Sequence, residues 1–457
     1  MAIATINPAT GETEIEFTPH TDAEIEARIA QSHEAFGALK STTFAQRGEW
    51  MYAAAALLEA EVETAARMLT VEMGKTIGQA RSEVLKSAKN LRFYADKAEE
   101  FMTGRELPAA AVGASRAYTR YEPIGAILAV MPWNYPLWQV IRFAAPALMA
   151  GNTVLLKHAS NVPQSALYLD ELFERGGFPA GSFNTLLIGA AKVEGVLRDP
   201  RVVAATLTGS EPAGRSVASI AGSEVKRVVL ELGGSDPFIV LPSADLDQAV
   251  ATAVTARTSN NGQACINAKR FIVHADIYDA FVERFTAAMA ALRVGDPLDE
   301  STDLGPVATE SGRVEVDELV QDALAKGAIA ATGGAPIDGP GFFYPATVIT
   351  GITPEMRLYA EEAFGPVASV YKADSVDDAL RIANDTTFGL SSAVWTQDAD
   401  EQEAVVAGLV AGAVFVNGMS ISYPEVPFGG TKDSGIGREL SFEGMREFLN
   451  AKSVWVG

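Results

Sequence analysis

Apolar residues recur at intervals of three and four through the first hundred positions, as in TDAEIEARIAQSHEAFGAL and SEVLKSAKNLRFYADKAEEF, and this spacing predicts amphipathic helices after a short NPATGE turn. The pattern then changes. Short runs rich in β-branched residues, AYTRYEP, GAILAVMP, TVLLK, SFNTLLIG, VVAATLTGS and RVVLELGG, alternate with helical segments, as successive βαβ units require. A second α/β series follows Cys265, with strand RFIVHA, helix IYDAFVERFTAAMAAL and then ASVYKA, DDALRIAND and AVFVNG. The expected architecture is α/β, with two parallel-sheet subdomains joined near Gly233-Gly234. No fixed-period repeat or flexible linker interrupts it.

Composition agrees with that picture and removes several functions. Of 457 residues, 48% are apolar and 21% charged, a profile that buries a large core, and the length exceeds what one core supports. The 58 acidic residues outnumber the 36 basic ones, and no Lys/Arg stripe offers a footprint for nucleic acid. The opening MAIATINPATGETEIEF lacks the basic and apolar regions of a secretory signal. The most apolar stretch, AILAVMPWNYPLWQVIRFAAPALMAG, is broken by Pro132, Pro136 and Arg142 and makes a poor membrane span. One cysteine permits no internal disulfide. Together these features fit a cytoplasmic protein without a membrane partner.

That single cysteine, Cys265 in TSNNGQACINAKRF, has two readings. A lone cysteine is often a small buried hydrophobe. Here, however, Asn260, Asn261, Gly262 and Gln263 suit a turn, where a thiol can meet a ligand beside backbone N–H groups. None of His20, His33, His158 and His274 stands in a recognisable cysteine-protease context. Glu231 is a candidate base instead, at the end of an apolar strand before a double glycine in LELGGSDPFIV. It is either a strand-end acid facing water or a carboxylate raised in pKa by apolar walls.

LELGGSDP followed by NNGQACINAKRF resembles the paired active-site signatures of the NAD(P)-dependent aldehyde dehydrogenase superfamily. NPATGE, MPWNYPLW, LLKHAS, TLTGSEPAG, EEAFGPV and PFGGTKDSGIGRE follow in the family's order across almost the whole chain. The segments VIRFAAPALMAGN and LLKHASNVP look most like the bacterial succinate semialdehyde dehydrogenases of that family. The resemblance implies two Rossmann-like subdomains with a small bridging sheet: a cofactor domain at 1–104 and 124–233, a catalytic domain at 234–439, and bridging segments at 105–123 and 440–457. It implies homodimers or homotetramers assembled partly through that bridging sheet. It also assigns roles. Cys265 would attack the aldehyde, Asn134 and the Cys265 N–H would hold the oxyanion, and Glu231 would activate the water that hydrolyses the thioester.

The chain carries no G-x-G-x-x-G fingerprint. In the family the cofactor contacts instead match Lys157, Gly209, Ser210, Glu362 and Phe364, with Pro132 and Trp133 lining the same cleft, and no metal is implied. NADP is expected over NAD, because relatives preferring NAD often carry a glutamate where this chain has Ser160, and a hydroxyl accommodates a 2′-phosphate. A helix beginning near Pro136 would place Asn134, Trp138 and Arg142 on one face, about 12 Å apart at its ends. The resemblance makes Arg142, with Ser422, the ligand of the far carboxylate of succinate semialdehyde; alone, an arginine there would snorkel to water or pair with an acid. Some relatives add a second arginine where this chain has Ser259, so a single cation is expected. The alternatives are another aldehyde, a cofactor-independent thiol hydrolase or acyltransferase, or a non-catalytic descendant of the fold.

Overall fold

The computed structural model describes residues 2–457. Its helices begin where local chemistry satisfies their free N–H groups. Thr21 and Thr43 each form a reciprocal capping box, with Glu24 and Gln46, at the starts of Asp22–Leu39 and Phe44–Ala60. Phe44–Ala60, Val62–Met73 and Ile77–Phe101 pack their apolar faces into the largest buried cluster around Met51, Leu69, Leu91 and Ile141, whereas Asp22–Leu39 lays Ile25 and Ile29 against the six-stranded sheet.

A six-stranded sheet runs in the order Gly435–Ile436, Arg227–Glu231, Val202–Thr208, Ala126–Val130, Thr153–Lys157, Phe183–Thr185, parallel except for its first strand. The chain crosses at Gly233-Gly234 to a seven-stranded sheet. Its order is Ile329–Thr332, Thr347–Thr350, Val367–Ala373, Ala268–His274, Asp236–Val240, Ala393–Trp395, Phe415–Val416, parallel except for its first pair. A third, antiparallel sheet pairs Leu449–Val456 with Arg116–Pro123 and Glu106–Leu107. The expected α/β architecture of two mostly parallel sheets and a small additional sheet is therefore present.

Three details differ from the sequence pattern. SFNTLLIG and AVFVNG yield strands of only three and two residues, because each lies at a sheet edge with one neighbour. The PWNYP helix starts at Trp138, so Asn134 precedes it. That helix, Trp138–Ala150, is buried at every position, which is why the most apolar stretch of the chain is core. Among the described residues no helix is long and apolar enough to cross a membrane.

The N-terminal hairpin is tied to the helical layer through a buried carboxylate. Glu72 accepts from the Gln164 and Ser165 N–H groups (2.7 and 3.0 Å), from Ser165 Oγ and from Thr5 Oγ1, capping the helix Pro163–Arg175 and tying the N-terminal hairpin to it. Burial pushes its pKa up to about 7. A folded pKa above the unfolded 4.5 means that the contribution of Glu72 is greatest at low pH and declines between about 4.5 and 7. Glu72→Ala should destabilise by roughly 2–3 kcal/mol through the unpaired N–H groups. In denaturant titrations that loss should be larger near pH 5 than near pH 8.

Candidate active site

The topology brings two sheet edges face to face. Lys157, Gly209 and Glu231 end or follow strands of the six-stranded sheet, as does the Pro132–Asn134 turn, while Cys265 and Glu362–Phe364 precede strands of the seven-stranded one. In the first sheet the strand order reverses direction beside Ala126–Val130, and carboxyl ends at such a switch point form a ligand crevice.

Cys265 sits at the end of a turn that asparagine and glycine make possible. Asn260 and Asn261 hold φ of 57° and 55°, and Gly262 follows at 75°. The turn is held from afar. Asn261 Nδ2 donates to the carbonyls of Gly74 (2.7 Å) and Pro306 (2.9 Å), and its Oδ1 accepts from Gly305 N. The buried Arg257 donates to the carbonyls of Ala268, Gly262 and Gly365. Lys269 Nζ donates to the carbonyls of Ala264 and Cys265 at 2.9 and 2.6 Å and pairs with Glu362 at 2.9 Å. Arg257 lies outside every motif the sequence pattern singled out, and the long-range partners of Asn261 and Lys269 are set by the fold rather than by that motif.

Asn134 joins the opposing edge to this loop. Its Nδ2 donates to Gln263 O at 3.0 Å, and its own carbonyl accepts from Asn260 Nδ2 at 2.8 Å. An amide nitrogen carries two hydrogens, so one remains for a ligand. The Cys265 N–H has no acceptor among the described residues. Two donors thus stand free beside the thiol. His158 is no base for it: burial pushes its pKa down to about 4, and Nε2 lies 2.9 Å from the Pro136 carbonyl.

Glu231 is 1% exposed, and neither carboxylate oxygen has a hydrogen-bond partner among the described residues. Burial raises its pKa well above the usual range, helped by Glu439 and opposed by Arg142 and Arg438. Of the two sequence readings, the water-facing acid is the one that fails. The Glu231 carbonyl accepts from Gly209 N at 2.9 Å, and a Cβ on Gly429 would lie 2.8 Å from Oε1. Burial likewise raises the Cys265 thiol to about 12, against the pull of Arg142 and Lys269.

A cavity of about 190 Å³ opens onto Cys265 and is lined by Trp138, Arg142, Ser259 and Ser422 together with Lys86. Arg142 is 2% exposed and ion-paired with Glu439, and its Nη2 lies 2.9 Å from Gln139 Oε1. Ser422 Oγ accepts from Lys86 Nζ at 2.8 Å. A second cation, Lys86, reaches this end of the cavity from the helix Ile77–Phe101, a part of the chain where the sequence pattern marked no site residue.

Along the nucleotide crevice the side chains suit a phosphorylated cofactor. Lys157 is half-buried, its pKa lowered by desolvation, with no carboxylate partner among the described residues. The Ser160 hydroxyl does not cap the next helix, whose N-cap is Val162, and makes no hydrogen bond among the described residues. Ser210 caps Glu211–Ser223 without a side-chain bond, leaving N–H groups free at that helix start. Trp133 and Phe364 meet edge to face at 5.6 Å on the near wall beside Pro132.

A cysteine facing a nucleotide crevice between two parallel sheets places the molecule among the two-sheet α/β oxidoreductases. The model of the aldehyde dehydrogenase family matches residues 1–454, and the chain belongs to that family. It is 63% identical over 456 residues to succinate-semialdehyde dehydrogenase [NADP(+)] 1 of Mycobacterium tuberculosis H37Rv, covering all of both chains. The corresponding protein of Mycobacterium ulcerans is 62% identical over 458 residues, again with full coverage of both. The crystal structure of succinic semialdehyde dehydrogenase from Streptococcus pyogenes in complex with NADP+ superposes with a TM-score of 0.96 at 37% identity, covering 99% of each chain.

The raised thiol pKa makes a direct expectation. Without cofactor, iodoacetamide should alkylate Cys265 slowly at neutral pH, with the rate rising about tenfold per pH unit from pH 7 to 10. Mass spectrometry reads this at one site, since Cys265 is the only thiol. A rate that levels off below pH 8 would mean the thiol is already ionised.

Proposed function

We propose that the protein oxidises succinate semialdehyde to succinate with NADP. The observation that carries this is a single cavity with Cys265 at one side and the Arg142–Ser422 end at the other, sized for a short chain bearing an aldehyde and a carboxylate. The names of the mycobacterial relatives and the NADP+ in the streptococcal structure support the same substrate and cofactor. Lys157, Ser160, Gly209, Ser210 and Glu362 would hold NADP, with Pro132, Trp133 and Phe364 walling its nicotinamide end, and the bound cofactor would supply the hydride acceptor.

The chain's own groups account for the remaining steps. The Cys265 sulfur adds to the aldehyde carbon as a thiolate, and the oxyanion formed is held by Asn134 Nδ2 and the Cys265 N–H. Loss of hydride leaves a thioester. Glu231 then takes a proton from water, whose oxygen adds to the acyl carbon and expels the thiolate, releasing succinate. An unpaired, desolvated carboxylate is a strong base once ionised, and its burial keeps it from being spent on a structural partner. The protein is further proposed to act in the cytoplasm as a homo-oligomer. The edge strand Leu449–Val456, with Trp455 59% exposed, supports an interface there.

In a panel of succinate semialdehyde, glutarate semialdehyde, butanal and benzaldehyde, kcat/KM should be highest for succinate semialdehyde and higher with NADP than with NAD. Ser160→Glu should cut NADP activity by about tenfold or more while sparing NAD, because a carboxylate repels the 2′-phosphate. Equal losses with both cofactors would make Ser160 structural, and preference for butanal would move the substrate to another aldehyde.

Glu231→Gln should give one burst of reduced cofactor per active site followed by a slow steady rate, since acylation survives and thioester hydrolysis does not. In the wild type the raised Glu231 pKa means the base is protonated at low pH, so deacylation should quicken as pH rises. Unchanged steady turnover in the variant would assign the base elsewhere.

A further inference from the structure

The cavity beside Cys265 contains two cations, and their surroundings differ. Arg142 already has a carboxylate: its guanidinium is paired with Glu439 and stacked over Phe428 at 4.5 Å. Lys86 has no carboxylate partner among the described residues. Its Nζ donates to Ser422 Oγ at 2.8 Å and lies 4.0 Å from the centre of the Trp138 ring. The acid on its own helix, Glu83, is committed to Lys75 and to the N–H groups of Leu137 and Trp138. Glu425, the nearest acid on the segment carrying Ser422, pairs with the exposed Lys89. A half-buried ammonium with only a hydroxyl and a ring for company lacks the anion that would balance it.

We infer that Lys86 is the principal cationic ligand of the substrate's carboxylate, held in place by Ser422 and the Trp138 ring, with Arg142 acting mainly as counter-ion to Glu439. This rests on the proposed semialdehyde substrate. The groups facing Lys86 from each neighbouring element set its charge state. Burial, then Arg142, lower its pKa, while Glu83 and Cys265 raise it and Lys75 lowers it slightly, leaving it at about 7. Tyr135, whose hydroxyl is held neutral by burial, also lines the cavity. An entering carboxylate favours the ammonium form, so below about pH 7 it meets a charged lysine. Above that, binding takes one proton from solvent onto Nζ and weakens with pH until the bound-state pKa is reached.

The test is the ratio of kcat/KM for succinate semialdehyde to that for butanal, which cancels the ionisation of Cys265 and Glu231 common to both. In the wild type the ratio should be large at pH 6.5 and fall by up to tenfold per pH unit above pH 7. Lys86→Met should reduce it at pH 6.5 by about 30-fold, a size typical of a lost charge-assisted hydrogen bond. Lys86→Arg, charged throughout, should keep a high ratio with no slope from pH 6.5 to 9, and it preserves the test should the methionine variant fail to fold. A high wild-type ratio that Lys86→Met leaves within threefold, or a Lys86→Arg slope equal to the wild type's, overturns the role of Lys86 alone. A wild-type ratio near one overturns the semialdehyde reading and this inference together.

Discussion

A carboxylate without a hydrogen-bond partner, withdrawn from water, is among the costlier things a protein interior can contain, and Glu231 is one. Its position is fixed through the backbone rather than through the side chain. The strand Arg227–Glu231 is paired on both sides, by Val202–Thr208 and by Gly435–Ile436, and the Glu231 carbonyl accepts from Gly209 N. Because Gly429 brings no side chain, nothing intrudes where a Cβ would come within 2.8 Å of Oε1. The carboxylate oxygens are thereby left without a protein partner, and the surrounding strands bear the cost. A raised pKa is the same fact in another form: the buried group avoids charge until something in the site demands it.

Much of this was legible in the chain because it is local. Alternating β-rich runs and helical segments gave the two parallel sheets, and the run Asn260–Gln263 shortly before Cys265 announced a turn that Asn260, Asn261 and Gly262 do adopt in left-handed geometry. Glu231 before two glycines and Asn134 between prolines were visible for the same reason. Strand lengths at the sheet edges were not, since an edge strand ends where its single neighbour does, which no window of sequence records.

What the sequence concealed is what acts over distance. The helix carrying Trp138 and Arg142 begins two residues later than its apolar period predicts, and its first N–H groups are accepted by Glu83 Oε1 from another helix. Asn261 reaches Gly74, and Arg257 reaches Gly365. Lys86 illustrates the limit best. It sits three residues from Lys89 on one amphipathic helix, and periodicity assigns both to a polar face. Only the fold separates them: Lys89 meets Glu425 in solvent, whereas Lys86 turns inward over Trp138.

The charges beneath the cavity form a sequence in which each ion is already answered except at the two ends. Glu439 is answered by Arg142, and Glu83 by Lys75. Glu231 at one end and Lys86 at the other have no opposite charge of their own among the described residues. Direct pairing of those two would satisfy both and leave neither for substrate. Arg142 and Glu439 stand as a neutral buried pair whose cost is partly recovered by mutual attraction; Glu439 raises the pKa of Glu231 against the pull of Arg142, and Arg142 lowers that of Lys86. On the role inferred for Lys86, a carboxylated aldehyde would supply the anion that the lysine lacks, while Glu231, as the proposed base, would need only water, so substrate binding would complete the charges of the site.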